Sequence, residues 1–347
     1  MKQKMIYGLL TLGLMASWGY DSAYGAAPSS AKDFYAKNTV TLVVTYGPGG
    51  GTDAAGRIIA TNWKAVTGGT MMVKNVAGAG GLVGMNQVYS AKPDGLTLGY
   101  TDSASSLLGP VIFKSPGIQF DSTKFVYLGV NAVMPNGIGI AKDLPAETIQ
   151  DMQKMKGLKF GSHGLDAQAG NSALAIEVFG LKDARIVGGY SGMEEEGLAL
   201  ARREVDAYSN SMHSTADHIK KNFVKKLVLV SDYKRSPYFP NVPTFPELTK
   251  FTPEQETMFK MIYAGRAAKP IFAPPGLAKD KTDYLRDAFE RLFRLEAYLN
   301  LLRPRWPIID ADFHMTGEEW TKMTAEVLAF PAADRDKFIA LVNKYMK

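Results

Sequence analysis

The feature that most constrains this chain is a repeated order of strand, glycine-rich loop and helix. Residues 39–45 form a β-branched apolar run, typical of a buried parallel strand, and the glycines within 47–51 end it. A helix is predicted to begin there with Thr52 as its N-cap, because apolar residues then recur at helical spacing until Gly68 and Gly69. Strands that alternate with helices in this way form βαβ units with right-handed crossovers. The opening part of the chain is therefore predicted to form a parallel α/β sheet.

The same order continues to the end of the chain. Further strands are predicted near residues 71–73, 96–101, 125–130, 138–141, 158–161, 184–187, 205–208, 227–230 and 261–263. Further helices are predicted at 82–90, 146–155, 171–179, 193–203, 281–302 and 333–345. The proline-rich passage 237–246 is typical of a crossing between domains. We therefore expect two α/β lobes, each a mostly parallel sheet flanked by helices. The first lobe is expected to comprise 26–124 with about 245–347, and the second about 125–244.

The first 25 residues have the layout of a cleaved secretory signal. Lys2 and Lys4 supply a short positive region, an apolar stretch follows at 5–16, and small residues precede Ala26. We therefore expect export, with a membrane anchor as the alternative. The chain has no cysteine, which excludes disulfides, thiolate metal sites and thiol catalysis. Its net charge of +6 is diffuse and does not form the basic patch that binding to nucleic acid requires.

Glycine-rich loops that lead into helices are the candidate binding elements. Such a loop presents backbone N–H groups at the positive end of a helix and lets a ligand approach the bare backbone, which suits an anion. The first lobe offers 49–53 and 78–81, and the second offers 162–164, together with 170–172, and 190–192. Because such loops gather at the carboxyl ends of the strands, a carboxylate is the expected ligand. The predicted contact residues are Pro48, Gly49, Gly50, Gly51, Thr52, Asp53, Gly78, Ala79, Gly80, Gly81, Ser103, Ser162, His163, Gly164, Tyr190, Ser191 and Gly192.

Several charged residues near these loops allow more than one interpretation. The charge of Asp53 suits a helix dipole but opposes an anionic ligand, so we favour a structural pair with Arg57 one turn on. A contact between Asp53 and water or a polar group of the ligand stays open. His163 is expected to donate to the ligand, with a satisfied loop histidine as the alternative. Whether Arg266 and Lys269 reach the cleft is not decided by the sequence.

Other chemistries fit the residues less well. Residues 49–54 match a dinucleotide-binding pattern, but the acidic residue expected at the end of the second strand is missing. The four histidines lack zinc-ligand spacing, so neither a metal nor a cofactor is expected. An exported hydrolase stays open, with Ser162 or Ser191 as nucleophile and His163 as base, although no third group is visible to orient the base. The glutamates at 194–196 are expected to be solvated at a helix start.

Three ordered motifs in residues 39–101 resemble the solute receptors of tripartite tricarboxylate transporters, also called Bug or TctC-type proteins. The motifs are 46–53 with Arg57 after it, 75–81, and 93–98. The similarity continues through 160–164, 189–192, 242–247 and 273–276, and it spans nearly the whole mature chain.

The resemblance implies a two-lobe clamshell of the periplasmic-binding-protein type that captures a di- or tricarboxylate or an aromatic carboxylate. It implies a non-enzymatic monomer in the periplasm that hands the solute to the permease subunits of a transporter. A receptor that signals to a sensor protein would have the same pocket and stays open. The resemblance places one ligand carboxylate against 49–53 and 78–81. The second-lobe loops depart from the family pattern, so the partners of the ligand's far end are not implied.

Overall fold

The structure is a computed structural model that describes residues 30–190, 192–304, 306 and 313–346. The expected signal segment 1–25 and the predicted contact residue Ser191 lie outside the described residues. Within the described ranges, none of the helices combines the length and the apolar character needed to cross a membrane.

Short strands and helices alternate along most of the described chain. The strands are β1 Thr39–Val44, β2 Thr70–Asn75, β3 Thr97–Tyr100, β4 Val126–Met134, β5 Asn136–Ala141, β6 Lys159–Gly161, β7 Arg185–Val187, β8 Ala207–Ser211, β9 Val224–Val230, β10 Ala267–Ala273 and β11 Met315–Thr316. The α-helices are α1 Ala31–Lys37, α2 Gly51–Thr67, α3 Leu82–Tyr89, α4 Leu108–Ile112, α5 Ile149–Gln153, α6 Ala167–Phe179, α7 Met193–Ala201, α8 Met212–Lys220, α9 Phe245–Leu248, α10 Pro253–Ala264, α11 Lys279–Phe293, α12 Glu296–Leu302, α13 Gly317–Leu328 and α14 Ala332–Tyr345.

The first sheet has the strand order β11–β4–β10–β3–β1–β2. β1 pairs in parallel with β2 and β3, whereas β10 pairs antiparallel with β3 and β4. Val40, Leu42 and Val44 of β1 are fully buried and share one apolar cluster with Ile59 and Trp63 of α2. The predicted strand–loop–helix unit at the start of the chain is confirmed. We call the part of the molecule built on this sheet the first lobe.

The second sheet, on which the second lobe is built, has the order β7–β6–β8–β5–β9. β6 pairs in parallel with β7 and β8, and β5 pairs antiparallel with β8 and β9. Two α/β lobes are therefore confirmed, but both sheets are mixed and not mostly parallel. The chain passes between the sheets from β4 to β5 and from β9 to β10, and the antiparallel pairings involve these four strands.

β4 belongs to the first sheet, although the sequence suggested that the second lobe begins near residue 125. It pairs along most of its length with β10 and also with β11. Asn131 on β4 donates hydrogen bonds to the hydroxyls of Tyr100 and Tyr298, which fixes the strand in the first lobe. The first crossing between the sheets therefore lies at Pro135. The assignment of the remaining segments to lobes stays a prediction.

Two predicted elements in the last third of the chain are wrong. Residues 261–263, predicted as a strand, lie in α10, which begins at a capping box formed by Thr252 and Gln255. The strand follows this helix as β10. The single helix predicted over 281–302 is two helices, α11 and α12, interrupted at residues 294–295.

The terminal helix α14, expected to rejoin the first lobe, packs against α6. Its Phe338 is buried over Gly170 of α6, where an added Cβ would lie 2.4 Å from the ring. Lys344 forms an ion pair with Glu177 of the same helix at 2.6 Å. Phe338 shares one apolar cluster with residues of both sheets, among them Val43 of β1 and Ile138 of β5. The two lobes are therefore joined by a continuous core.

Candidate functional site

Asp53 holds the loop after β1 in shape. Its carboxylate accepts hydrogen bonds from Gly49 N at 2.8 Å, Asn75 Nδ2 at 2.9 Å and Arg57 Nε at 3.0 Å. Burial raises the pKa of Asp53, but the hydrogen bonds from Arg57, Gly49 and Asn75 outweigh it and hold the pKa below its usual value. The favoured structural pair with Arg57 is confirmed, and the amide of Gly49 is used within the loop.

The helix that follows this loop begins without a side-chain cap. The N-cap of α2 is Gly50, and the predicted N-cap, Thr52, lies instead in the first turn. The first N–H groups of any α-helix lack partners within the helix. A Cβ placed on Gly50 would meet nothing within 4 Å, and residues 48–50 are exposed. Open space and unpaired amides therefore coincide at the start of α2.

The second glycine loop lies against the first. φ is positive at all four residues of 78–81, including 47° at Ala79, a conformation that favours glycine. The Ser106 hydroxyl donates to Gly80 O at 2.7 Å and is also bonded to the Tyr46 hydroxyl. Asn75 Nδ2 donates to Tyr46 O at 2.9 Å. The edge formed by β1, β2 and β3 thus brings together both glycine loops predicted for the first lobe.

Lys269 adds a positive charge beside the start of α2. β10 directs its ammonium group to Asp102 Oδ2 at 2.8 Å and to Thr52 Oγ1 at 3.2 Å. Its side chain is 14% exposed. Arg266 instead donates to Tyr263 O and lies over the ring of Tyr263. The question that the sequence left open is therefore decided for Lys269, which reaches the glycine loops.

Two of the predicted contact serines are structural. Ser103 is fully buried, and its hydroxyl accepts a hydrogen bond from Ala268 N at 3.0 Å, which ties the loop after β3 to β10. Ser162 is also fully buried, and its hydroxyl lies 3.1 Å from Gly164 O and 3.4 Å from Asp166 Oδ1. Both hydroxyls are engaged within their own lobes. Ser162 is therefore not an accessible nucleophile for the hydrolase alternative, and its other candidate nucleophile, Ser191, lies outside the described residues.

Two helix starts of the second lobe, those of α6 and α7, carry acids. α6 is capped by Asp166, whose Oδ1 accepts from Gln168 N at 3.0 Å and Ala169 N at 2.9 Å. The segment 170–172, expected in a binding loop, lies inside this helix because the cap starts the helix earlier than predicted. The first turn of α7 contains the three glutamates of 194–196. α6 therefore differs from α2 and α3 of the first lobe, which have no side-chain cap.

Glu196 is fully buried, which corrects the expectation that all three glutamates are solvated. Its Oε2 accepts from Asn210 Nδ2 at 3.0 Å and lies 3.6 Å from His163 Nε2. On the other side of the imidazole, Asp166 Oδ2 lies 3.8 Å from His163 Nδ1. Burial raises the pKa of Glu196 to about 7 and also raises the pKa of Asp166. The space for Glu196 comes from Gly161, where an added Cβ would lie 3.1 Å from Glu196 Cγ.

His213 and Trp306 meet between the lobes, and neither is among the predicted contact residues. The ring of His213, at the start of α8, lies edge-on to Trp306 with centroids 5.0 Å apart. Trp306 Nε1 in turn lies 4.0 Å from the position of a Cβ on Gly51. Burial and the charge of Lys269 lower the pKa of His213 to about 3, so its ring is neutral. These contacts join segments far apart in the chain, so no local motif marks them.

The other predicted second-lobe residues are more accessible. A Cβ on Gly164 or Gly192 would meet nothing within 4 Å, and the side chain of His163 is 19% exposed. Tyr190 is half-buried against the core that joins the lobes. Two surface grooves of about 460 and 400 Å³ lie elsewhere, and neither is lined by a predicted contact residue.

Known proteins resemble the chain over most of its length. Residues 55–305 match the family described as tripartite tricarboxylate transporter family receptor. BugT from Bordetella pertussis is 29% identical over 231 residues, which are 64% of this chain and 69% of BugT. MatC from Rhodopseudomonas palustris with bound malate has a TM-score of 0.65 at 20% identity, over 88% of this chain and 98% of MatC. The R. palustris protein Rpa4515 with adipate has a TM-score of 0.66 at 20% identity, over 88% of this chain and 97% of its own.

Proposed function

The chain belongs to the tripartite tricarboxylate transporter receptor family, and from that premise we propose that it is a periplasmic receptor for a small carboxylate. It captures the solute without chemical change and delivers it to the membrane subunits of a transporter. MatC and Rpa4515, whose fold this chain shares, hold malate and adipate, which are both carboxylates. The secretory layout of residues 1–25 is consistent with a periplasmic location.

The observation that carries the proposal is the uncapped, exposed start of α2 beside Lys269. Unpaired amides and the positive end of the helix dipole attract a carboxylate, and the ammonium group of Lys269, which is paired with Asp102 at 2.8 Å, offers a further donor 3.2 Å from Thr52 Oγ1. Asp53 does not oppose this attraction strongly, because its carboxylate is neutralised by Arg57 at 3.0 Å and saturated by hydrogen bonds.

The loop before α3 supplies the other side of the carboxylate site at Ala79 and Gly80, because the amides of Gly81 and Val83 donate to Gly78 O. The N-cap of α3 is Gly81, with φ of 99°, and no side chain caps it. A Cβ on Gly80 would meet nothing within 4 Å. We therefore place the ligand carboxylate between residues 48–52 and 79–81, and we leave the buried Ser103 out of the contact set.

Gly50 allows a direct test of this placement. Its φ of −73° and the open space at its Cβ make Gly50→Trp compatible with the fold, while the indole covers the start of α2. We expect the variant to unfold at the wild-type temperature and to lose binding of malate, adipate or another carboxylate that stabilises the wild type. Ala65→Trp, at an exposed position of the same helix, is the control and should bind normally.

Thermal unfolding with a panel of mono-, di- and tricarboxylates provides the measurement. A ligand at 100 times its Kd stabilises the folded protein by about 2.7 kcal/mol. If no carboxylate raises the unfolding temperature, the proposed function is refuted. If Gly50→Trp binds as the wild type does, the carboxylate lies elsewhere.

A further inference from the structure

The side chain of Trp306 brings an indole N–H to the start of α2. Beyond its chain neighbours and its own helix, a Cβ on Gly51 would meet a single described atom within 4 Å, Trp306 Nε1 at 4.0 Å. A Cβ on Gly49 or Gly50 would meet nothing within 4 Å. The indole nitrogen and the first turn of α2 therefore border the same unfilled space.

This indole N–H has no acceptor within the part of the chain that the structure describes. The ring of His213 lies beside it, but edge-on, with 84° between the two planes, and His213 Nε2 is itself without a partner. Trp306 is 8% exposed, so most of its side chain is shielded from water. An indole nitrogen donates and does not accept, so only an acceptor can pair with it.

Two other indoles lack a partner as well, and they show what distinguishes Trp306. Trp63 and Trp320 are fully buried, each inside an apolar cluster. Trp306 also belongs to the apolar cluster of the first lobe, but its nitrogen lies against the open space at Gly51. Trp306 therefore combines an unpaired nitrogen with a helix start that no side chain caps.

Contacts from both lobes hold the indole in this place. The backbone N–H of Trp306 donates to Leu302 O at 2.8 Å, which ties the residue to the end of α12. The ring packs within the apolar cluster of the first lobe, and the ring of His213 meets it from the second lobe with centroids 5.0 Å apart. A donor that is already held in position loses little conformational freedom when a ligand binds.

The amides in the first turn of α2 and the indole N–H are all donors. A carboxylate has two oxygens that accept hydrogen bonds, so it can pair with the amides and with the indole together. Lys269 reaches Thr52, the residue that follows Gly51, so Lys269 and Trp306 approach neighbouring residues of one turn. We propose that Trp306 is a ligand-binding residue whose Nε1–H donates to the ligand carboxylate at the start of α2. This inference rests on the proposed function, which places the carboxylate there.

Proton–nitrogen NMR spectra of the purified chain test this contact directly, because each indole N–H gives its own signal. The chain is titrated with acetate, benzoate, succinate, malate, adipate and citrate. A carboxylate that raises the unfolding temperature should shift the Trp306 signal downfield, as a new hydrogen bond to a charged acceptor does. Trp63 and Trp320 are internal controls, and their signals should move far less. The Trp306 signal is assigned by its absence in Trp306→Phe or by its contact with the ring of His213.

Matched variants measure what the contact contributes to affinity. Trp306→Phe removes the N–H and keeps an aromatic ring beside His213. By titration calorimetry, it should bind the stabilising carboxylate on the order of tenfold more weakly, since a hydrogen bond to a charged group is lost. Trp320→Phe makes the same exchange at an indole whose nitrogen also lacks a partner, and it should bind as the wild type does. Thermal unfolding without solute shows that each variant is folded.

The outcomes separate this inference from the proposed function. A carboxylate that stabilises the chain without moving the Trp306 signal overturns the inference and leaves the proposed function standing. Wild-type affinity in a folded Trp306→Phe does the same. If no carboxylate raises the unfolding temperature, the proposed function is refuted and the inference with it. If Trp306→Phe does not fold, the Trp306 signal of the wild type decides alone.

Discussion

At the scale of single residues, Glu196 illustrates how a neighbour decides what a side chain does. A glutamate in the first turn of a helix is ordinarily solvated, because it suits the dipole there. Here the missing side chain of Gly161 leaves a space beside β6, and Glu196 fills it. Burial of a carboxylate in such a space is costly, so the group retains its proton to a higher pH than usual.

This burial predicts how stability depends on pH. The pKa of Glu196 is about 7 in the folded protein against an ordinary 4.5, so the folded state holds a proton that the unfolded chain releases between these values. The resulting stabilisation is fully present below pH 4.5 and is lost as the pH rises through about 7. The loss is on the order of 3 kcal/mol.

The side chain introduced by Glu196→Gln does not titrate. The free energy of unfolding of this variant should therefore rise relative to that of the wild type as the pH increases from 4.5 to 8. Urea denaturation at several pH values measures the difference. Glu194→Gln should follow the wild-type profile closely. Parallel profiles for wild type and Glu196→Gln would contradict the burial of this carboxylate in solution.

Whether a residue of the site could be predicted depends on how far along the chain its partners lie. The glycine loops at 49–53 and 78–81 were predictable, because a strand, a turn and a helix start are local patterns. Lys269 and His213 act through partners in other segments, and their neighbours in sequence do not mark them. Ser103 is a predicted contact residue, but its hydroxyl accepts a hydrogen bond from the backbone of β10.

At the scale of elements, the start of α2 depends on one buried carboxylate. Asp53 accepts from the loop at Gly49, from β2 at Asn75 and from its own helix at Arg57. It therefore fixes the distance between the two glycine loops. Its partner Arg57 has a side chain that is 54% exposed, whereas that of Asp53 is 4% exposed.

This asymmetry predicts unequal effects of removing the two partners. Asp53→Asn loses a charged acceptor within a buried network and should lower the free energy of unfolding by about 1–3 kcal/mol. Arg57→Ala removes the exposed partner of the pair and should cost no more than about 1 kcal/mol. Urea denaturation provides the comparison, and the reverse order would show that Arg57 holds the loop.

Element prediction succeeded where pattern and structure are both local. The order from β1 to β3 follows from apolar runs and glycine turns that need no distant partner. Residues 261–263 failed because a short apolar run fits either a strand or a helix, and the capping box at Thr252 decided for the helix. The sheet that β4 joins was not predictable, since its pairing with β10 and β11 involves chain that follows more than a hundred residues later.

At the scale of the whole molecule, the lobes share a core although their sheets are separate. The chain crosses at Pro135, returns after β9, and sends α14 back onto α6. Phe338 of α14 lies over Gly170 of α6 and stands 5.6 Å, centroid to centroid, from Phe113 at the end of α4. The closure that the proposed function requires would therefore move two lobes that remain in apolar contact, which favours a small movement over a wide hinge opening.

Phe338→Ala tests whether this contact unites the two lobes in folding. The ring is 2% exposed and faces both α6 and α4, so its removal leaves a cavity and should cost about 3–5 kcal/mol. Lys337→Ala, at the adjacent position with a side chain 55% exposed, should change stability by less than about 0.5 kcal/mol. Because the core is continuous, urea should unfold the variant in one transition, at lower concentration than the wild type, by both circular dichroism and tryptophan fluorescence.

Transitions that separate between the two signals in Phe338→Ala, but not in the wild type, would mean that this one ring couples the lobes. Separate transitions in both would show that the lobes fold independently.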